Sequence, residues 1–444
     1  KREQALPEKP EYLVHKIEAP RMSREEADAL LKDEPEVAPL QVQERNADAP
    51  SSLTSALAAV TVSGDLAETP EVKFTAEIVT KAAELAHSPL SIYEFVRNEV
   101  AFQPYLGSRK GAPATLSQRA GNDTDQASLM LALLRTSGIP SRYVRGTVEM
   151  TADQAMSWLG VDDAGTAGSI LTTAGMDGIS IVSGPNVVAV RCTRVWVEAQ
   201  IPYTNYRGVP NADLGKTWVP MDPAFYGSQI TPGEDVLTPM GIDVEAFLAS
   251  HISTAQALSP VGRLESEIQT WLDANDPGKT VDDIRRKSEV APLELGLVPA
   301  SLPTALLSTP NSFSELEDSK RYKVRFHLYD GGTTFINHTL NLSDIAGQEL
   351  TIEYVGATPA DQATIDSFNG IYNTPPNLVN VKPVLELAGV AVATSSNGIG
   401  AGFTHDSDME FLEPVGAGNV QPLVQNTITA GNGQAIAFNT FLDV

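Results

Sequence analysis

Apolar residues recur at helical spacing between Gly121 and Gly146 and predict a long helix there. Met130 and Leu134 share one face, and Ala127 lies one turn earlier. Asp123 stands where an N-cap is expected. The sequence therefore predicts a helix that is capped by Asp123 and has Gln126 at the third position of a capping box.

A glycine and a proline end the predicted helix. Gly138 favours a helix stop and Pro140 prevents its continuation. The run from Arg142 to Gly146 follows directly and has the composition of a buried strand. The pattern therefore predicts a helix, a tight turn and a strand in immediate succession.

Similar periodicity predicts further helices on both sides of this unit. In chain order they cover residues 23–31, 75–86, 89–96, 153–160 and 166–175, with more helix between 235 and 290. The first is predicted to be capped by Ser23 with Glu26 at its third position. We interpret the helices at 153–160 and 166–175 as additions that extend the core, and a lid over a cleft is the alternative.

From Arg321 onward the hydrophobic period is two, which is typical of strands. Residues 322–328 and 333–340 flank an Asp-Gly-Gly turn and predict a hairpin. Further strands are predicted at 350–355, 381–387 and near 415–427, with a helix at 359–368. We expect a β-sandwich-like unit of about 120 residues.

These patterns divide the chain into four parts. Residues 1–70 are rich in proline and glutamate and are predicted to be either a linker or an arm packed along a larger body. Residues 71–232 form the predicted α+β core, and 233–319 a helical extension with a proline-rich connection. Residues 320–444 form the predicted all-β domain.

The chain has 56 acidic residues against 31 basic ones and a formal net charge of −25. This balance argues against nucleic acid and anionic membrane surfaces as partners. No apolar run approaches the roughly 18 residues of a membrane span, so membrane insertion is not expected. The chain opens on charged residues, and we expect processing or a boundary upstream of Lys1.

Three segments carry a resemblance to a known family. Leu133-Leu134-Arg135, Gly138-Ile139-Pro140 and Arg142-x-Val144-x-Gly146 lie in the helix and strand described above. Val195-Trp196-Val197-Glu198-Ala199 and Trp218-Val219-Pro220-Met221-Asp222-Pro223 follow later. Together they resemble the transglutaminase-like superfamily, which implies a papain-like core over roughly residues 75–230, about a third of the chain.

The resemblance also aligns the family's catalytic positions. Asp123 falls at the position of the cysteine, Arg194 at that of the histidine, and Asp222 at that of the acidic third member. A carboxylate is a poor nucleophile towards amides, and a guanidinium with a pKa above about 12 is no base at neutral pH. We therefore predict a non-catalytic pseudoenzyme in which Arg194 bridges the two carboxylates as a structural ion-pair triad.

Two other functions remain open on the sequence. The chain's only cysteine, Cys192, could be the nucleophile of an active amide hydrolase or acyl transferase, although a free cysteine is more often simply buried. The family's cleft could also persist as a peptide- or glycan-binding groove. Its predicted lining is Tyr105, Asp123, Trp196 and Trp218.

No cofactor and no metal are expected. The six histidines do not recur at ligand spacing, and one cysteine cannot build a thiolate site. Asp123-Thr124-Asp125 and Asp406-Ser407-Asp408 lack the further oxygen ligands and the glycine of a calcium loop. An acid–base pair of Asp123 and Asp222 is disfavoured, because Arg194 between them would keep both ionised.

The order of a transglutaminase-like core and a β module resembles the N-terminal region of large secreted bacterial proteins that carry RHS or YD repeats. The resemblance implies a secreted or surface location and a place in a larger assembly of the RHS-repeat or toxin-associated kind. We expect other parts of that polypeptide as partners, with a protein or glycan as ligand.

Overall fold

A buried helix packed on a mixed sheet makes up the first part of the protein. The computed structural model describes residues 18–32, 63–202, 216–253, 257–414 and 420–436. The helices of this first part are α1 (Arg24–Lys32), α2 (Ala76–Glu84), α3 (Pro89–Glu99), α4 (Gly111–Gln118), α5 (Asp123–Thr136), α6 (Ala152–Leu159) and α7 (Ala164–Thr173). Its strands are β1 (Arg21–Met22), β2 (Ala101–Phe102), β3 (Ala120–Gly121), β4 (Ser141–Thr151), β5 (Ile179–Ser183), β6 (Asn186–Pro202) and β7 (Lys216–Met221).

The predicted helix is α5, and it is the most deeply buried element of the described chain. Every residue from Asp123 to Arg135 is buried. Its cap differs from the prediction: Asn122 is the N-cap, and its side chain accepts a hydrogen bond from the Asp125 N–H at 2.8 Å. The side-chain amide of Gln126 instead donates to the carbonyl of Gly121 at 3.0 Å. Asp123 is therefore the first residue of the helix rather than its cap.

The main sheet runs in the order β1-β5-β6-β4, and β7 also pairs with β6. Two later strands, β10 (Ala305–Leu306) and β11 (Asn311–Phe313), pair with β4. Strand β6 is central, and its side chains alternate between two hydrophobic clusters. Val195 and Val197 face the cluster around α5. Cys192 and Trp196 belong to the cluster formed with α6 and α7. This alternation decides on which side of the sheet each candidate residue lies.

The helices α6 and α7 extend the core, as we interpreted them. Trp158 of α6 and Leu171 of α7 are buried against β4 and β6. Helix α6 starts with a capping box of Thr151 and Gln154 and ends at Gly160, whose φ of +66° favours glycine.

The arm packs on the core within residues 18–32. Strand β1 pairs in parallel with β5, and α1 has the predicted capping box of Ser23 and Glu26. Ala27 is buried with Ile181, and Asp28 pairs with the buried Arg191 at 2.5 Å. The packed-arm alternative therefore holds for this stretch, and residues 1–17 and 33–62 lie outside the described part.

The middle of the chain is helical, but its proline-rich end is not only a linker. Its elements are β8 (Ser228–Thr231), α8 (Leu237–Met240), α9 (Val244–Ser253), α10 (Pro260–Asn275), α11 (Val281–Ile284), β9 (Lys287–Val290), β10 (Ala305–Leu306) and β11 (Asn311–Phe313). Strands β10 and β11 pair antiparallel with β4. The segment predicted as a connection therefore supplies an edge to the core sheet.

Residues 320–436 form two antiparallel sheets whose buried side chains share one hydrophobic cluster. The elements are β12 (Lys323–Asp330), β13 (Thr333–Asn341), α12 (Leu342–Ile345), β14 (Leu350–Gly356), α13 (Pro359–Ser367), β15 (Asn380–Leu387), β16 (Val390–Thr394), β17 (Ile399–Gly400), β18 (Thr404–Leu412), β19 (Val420–Thr429) and β20 (Gln434–Ile436). One sheet is β13-β12-β18-β19, and the other is β16-β15-β14-β20 with β17 on β15. The predicted hairpin and the helix at 359–367 are both present.

Candidate functional site

Asp123 lies at the start of α5 with its carboxylate directed at strand β6. Its Oδ2 accepts a hydrogen bond from the main-chain N–H of Val195 at 2.9 Å. Its Oδ1 accepts one from the N–H of Thr124 at 2.7 Å. The side chain is buried, and both oxygens are engaged by backbone donors. Asp123 therefore ties the helix N-terminus to the central strand.

Arg194 of β6 and Asp222, directly after β7, form a buried ion pair. Nη2 of Arg194 donates to Oδ1 of Asp222 at 3.0 Å, and Nη1 lies 2.7 Å from Oδ2. The Arg194 side chain is 0% exposed and that of Asp222 is 2% exposed. Two close nitrogen–oxygen contacts between a planar guanidinium and a carboxylate fix the orientation of both groups.

The predicted ion-pair triad is therefore correct for Arg194 with Asp222 and wrong for Arg194 with Asp123. Arg194 does not bridge two carboxylates, since within the described residues its ion-pair partner is Asp222 alone. Asp123 uses its oxygens on the backbone of β6 instead. The charge of Arg194 still acts on Asp123, because it opposes the rise that burial causes in the pKa of this carboxyl.

Two aromatic rings cover the guanidinium. Its central carbon lies 4.3 Å from the ring centroid of Trp158 and 5.3 Å from that of Phe225. The indole N–H of Trp158 donates to the carbonyl of Ala224 at 2.7 Å, which holds α6 against the segment that follows Asp222. Both rings are themselves buried. The space next to Arg194 is thus filled by the protein's own side chains.

Burial governs the electrostatics of this cluster. It raises the pKa of Asp222 to about 6, and the nearby Asp123 adds to the rise while Arg194 opposes it. Tyr93 of α3 lies next to the pair, and its hydroxyl donates to the main-chain oxygen of Asp222 at 3.4 Å. Burial and the charge of Asp222 raise the pKa of Tyr93 to about 12, so it stays a neutral donor.

Cys192 is a buried thiol on the same face of β6 as Arg194. It is 1% exposed and packs in the cluster of α6 and α7. Burial raises its pKa to about 12, and the charges of Asp123 and Asp222 contribute in the same direction. The histidines of the described chain lie elsewhere: His87 after α2, His251 in α9, His327 and His338 in β12 and β13, and His405 in β18.

The four residues of the predicted cleft do not line one groove. Tyr105 is buried in the C-terminal hydrophobic cluster, and Trp196 is buried among the residues of α6 and α7. Trp218 is half-buried at the edge strand β7, where the guanidinium of Arg142 lies 4.0 Å from its ring centroid. Asp123 is closed off by Val195 as described.

Asp125 is a central residue that sequence reasoning missed. Its carboxylate accepts hydrogen bonds from the hydroxyls of Tyr105 at 2.7 Å and Ser108 at 3.1 Å. It also accepts from the N–H groups of Arg109, Lys110 and Gly111 at 3.1, 3.0 and 2.9 Å. No residue spacing in the sequence predicts these hydrogen bonds, because the donors come from a loop that lies 14 to 20 residues before Asp125.

The loop held by Asp125 is the junction between the two halves of the protein. The N–H of Ser108 donates to the carbonyl of Lys320 at 2.8 Å, and the N–H of Tyr322 donates to the carbonyl of Ser108 at 2.9 Å. Beside it, Arg321 forms a buried ion pair with Glu71. The residues around α5 are thus directly joined to the first strand of the C-terminal sheets.

Two further properties concern the described residues only. No group of three or more histidine, cysteine, aspartate or glutamate side chains among them is placed to hold a metal ion. None of the helices seen in this part of the chain combines the length and apolar character that crossing a bilayer requires.

Comparison with known proteins assigns the class of the core. Residues 72–223 match the family model of the transglutaminase-like superfamily, and this part of the chain is a transglutaminase-like superfamily domain. It contains Asp123, Arg194, Asp222 and Cys192. The protein is therefore a mixed α/β chain with a transglutaminase-like core and several sheets.

A similarity to one solved structure was also found. The transglutaminase of red sea bream is similar at 12% sequence identity and a TM-score of 0.20, over 77% of this chain. The match covers 53% of the red sea bream chain, so this chain spans about half the length of that relative. A comparison with curated proteins gave no match.

Proposed function

We propose that the transglutaminase-like core is a non-catalytic, structural module, a pseudoenzyme whose catalytic positions are occupied by Asp123, Arg194 and Asp222. The observation that carries the proposal is the buried ion pair of Arg194 with Asp222 beneath Trp158 and Phe225. A guanidinium at the position of the base cannot take a proton from a nucleophile at neutral pH.

The position of the nucleophile supports the same proposal. Asp123 at the start of α5 has both carboxylate oxygens bonded to backbone N–H groups. A carboxylate is a weak nucleophile towards amides, and this one is buried with both oxygens already bonded.

Cys192 does not provide an alternative nucleophile. A reactive cysteine needs a depressed pKa, a histidine within hydrogen-bond reach and partial exposure. Here burial raises the thiol pKa to about 12, and the side chain is closed off from solvent. The alternative of an active cysteine hydrolase or acyl transferase therefore finds no support in this geometry.

The positive role that we propose is to hold a rigid junction. Asp125 of α5 orders the loop 105–111, and this loop is bonded to Lys320 and Tyr322 at the start of the C-terminal sheets. We interpret those sheets as a β-sandwich module and the core as papain-like. The α5 N-terminus, which activates a nucleophile in a cysteine enzyme, would here serve as an anchor between two modules.

The larger context stays a prediction from sequence resemblance. We retain the expectation of a secreted bacterial assembly of the RHS or YD repeat kind, in which neighbouring parts of the polypeptide are the partners. A search of the gene around this segment for encoded RHS or YD repeats tests that expectation.

A turnover assay tests the absence of catalysis. The full chain would be incubated with a glutamine-containing peptide, with and without a primary amine, and ammonia release and amine incorporation would be measured. The proposal predicts the same signal for the protein, for Cys192→Ala and for buffer. Turnover that disappears in Cys192→Ala, or in a parallel Asp123→Ala variant, would overturn it.

A further inference from the structure

The outer face of the sheet β13-β12-β18-β19 carries a polar pocket far along the chain from the residues discussed so far. It has a volume of about 480 Å³ and is lined by Tyr329, Asp406, Asp408, Gln425, Asn426 and Thr427. The pocket is open and shallow, so it suits a ligand that lies along the sheet.

An aromatic wall bounds one side of the pocket. The rings of His327 and Tyr329 are stacked, with centroids 4.5 Å apart and an interplanar angle of 19°. The hydroxyl of Tyr329 donates to Oδ2 of Asp408 at 3.2 Å, which fixes the position of the ring on the sheet. His327 covers one side of the tyrosine ring, and Tyr329 is one of the residues that line the pocket.

Hydrogen-bonding groups form the floor. Asp406 and Asp408 lie opposite Thr427 and Gln425 on the neighbouring strand β19. The hydroxyl of Thr427 donates to Oδ1 of Asp406 at 3.0 Å. Among the described residues, no donor reaches the second oxygen of either aspartate, and the exposed side-chain amide of Gln425 lies on the same face of the sheet. Asn426 borders the pocket from the other side of the edge strand, because it pairs with the buried Ser407, and its Oδ1 accepts a hydrogen bond from the N–H of Thr427. The floor therefore offers free acceptors next to free donors.

Two simpler ligand classes fit this chemistry badly. An anion would meet two carboxylates and no cation among the residues that line the pocket. A calcium ion takes six to eight oxygen ligands, and the described residues hold no cluster of three or more acidic or metal-ligating side chains. The pocket therefore matches a neutral ligand that has many hydroxyl groups and a flat apolar face.

We propose that this pocket binds a neutral saccharide. The free face of Tyr329 packs against the C–H face of a sugar ring, because an aromatic ring supplies rigid apolar contact area. Asp406 and Asp408 accept hydrogen bonds from adjacent hydroxyls, and the amide of Gln425 donates to and accepts from the same ring. The proposal is independent of whether the core is catalytic.

The test is affinity electrophoresis of the full chain in native gels cast with soluble neutral polysaccharides, namely amylopectin, xylan, mixed-linkage β-glucan, galactomannan and dextran. We expect retardation by at least one of them. Calorimetric titration with the matching oligosaccharide then gives the association constant. The proposal is overturned if none of the five retards the protein.

Variants locate the binding surface. Tyr329→Ala should lower the association constant roughly tenfold or more, whereas Tyr329→Phe, which keeps the ring, should lower it by a smaller factor. Tyr372→Ala is the matched control, because Tyr372 is an aromatic residue of the same domain that is 71% exposed and lies outside the pocket. It should leave binding unchanged.

The fold of each variant is checked by its melting temperature. Binding that is as strong in Tyr329→Ala as in the unaltered protein would overturn the proposal. So would binding that requires added calcium chloride, since a neutral saccharide held by these side chains needs no metal.

Discussion

Arg194 and Asp222 meet through two nitrogen–oxygen contacts of 2.7 and 3.0 Å, with neither side chain more than 2% exposed. A pair buried this deeply has lost its hydration, and each charge depends on the other. Removing one partner therefore leaves an uncompensated charge in the core, whereas removing both does not. This asymmetry can be measured.

We predict that Arg194→Ala destabilises the core by about 3–5 kcal/mol, because Asp222 is then buried without a counter-ion. The double variant Arg194→Met with Asp222→Leu should recover most of this loss. Arg285→Ala is the surface control, since Arg285 and Glu265 are 52% and 40% exposed, and it should cost less than about 1 kcal/mol. The measurement is urea unfolding followed by tryptophan fluorescence. Equal effects at Arg194 and Arg285 would contradict the prediction.

The stability of the core should also depend on pH through Asp222. Burial raises the pKa of this carboxyl to about 6 from a usual value of 3.8, so between these values the folded state binds more protons than the unfolded state. The stability that Asp222 contributes is therefore greatest below pH 3.8 and falls as the pH rises to 6. The melting temperature of the protein minus that of Asp222→Asn should decrease over this interval. A constant or increasing difference would speak against it.

A second pH effect of opposite sign is expected in the C-terminal sheets. His405 is buried, its Nε2 lies 2.6 Å from the Tyr354 hydroxyl, and burial lowers its pKa below the usual 6.5. The folded state therefore binds fewer protons, and stability from this residue is lost as the pH falls below 6.5. The protection factors of amides in β14 and β18, which correct for the slower intrinsic exchange at lower pH, should decrease from pH 7 to pH 5. In His405→Gln this decrease should be smaller, and an unchanged pH dependence of the protection factors in this variant would count against the mechanism.

Asp125 gives a prediction about the junction. Asp125→Ala leaves the N–H groups of Arg109, Lys110 and Gly111 without their acceptor, which should cost about 3 kcal/mol or more. In this variant, the rate of amide hydrogen exchange should increase more in the loop 105–111 than in β4. The exposed Asp153→Asn serves as control and should change neither quantity by much. Loop protection that survives in Asp125→Ala would show that the junction is held by other contacts.

Local sequence signals predicted much of this architecture correctly. The helix at 123–136 and the hairpin around Gly331 follow from periodicity and turn residues, and both are present. The cap was placed one residue late because asparagine and aspartate are equally good N-caps, and only the direction of the Asn122 side chain separates them.

The wrong predictions share a cause, because local sequence patterns do not specify which distant segments of the chain pair with each other. Strands β10 and β11 are short segments on either side of Pro310, and they become strands only because β4 offers them an edge. Arg194 was expected between two carboxylates, but the alternation of β6 turns it towards Trp158 while Asp123 meets the backbone of Val195. The role of Asp125 depends on a loop that is distant in the sequence.

The central claim is that this core has a closed, non-catalytic site, and the reactivity of its thiol tests that claim most directly. The native protein would be incubated with iodoacetamide and, separately, with an acyl-donor peptide, and intact mass would be recorded against Cys192→Ala. We predict no added mass until the protein is unfolded in urea, because Cys192 is 1% exposed and burial raises its pKa to about 12. Rapid labelling or an acyl adduct in the native protein that is absent from Cys192→Ala would contradict the account.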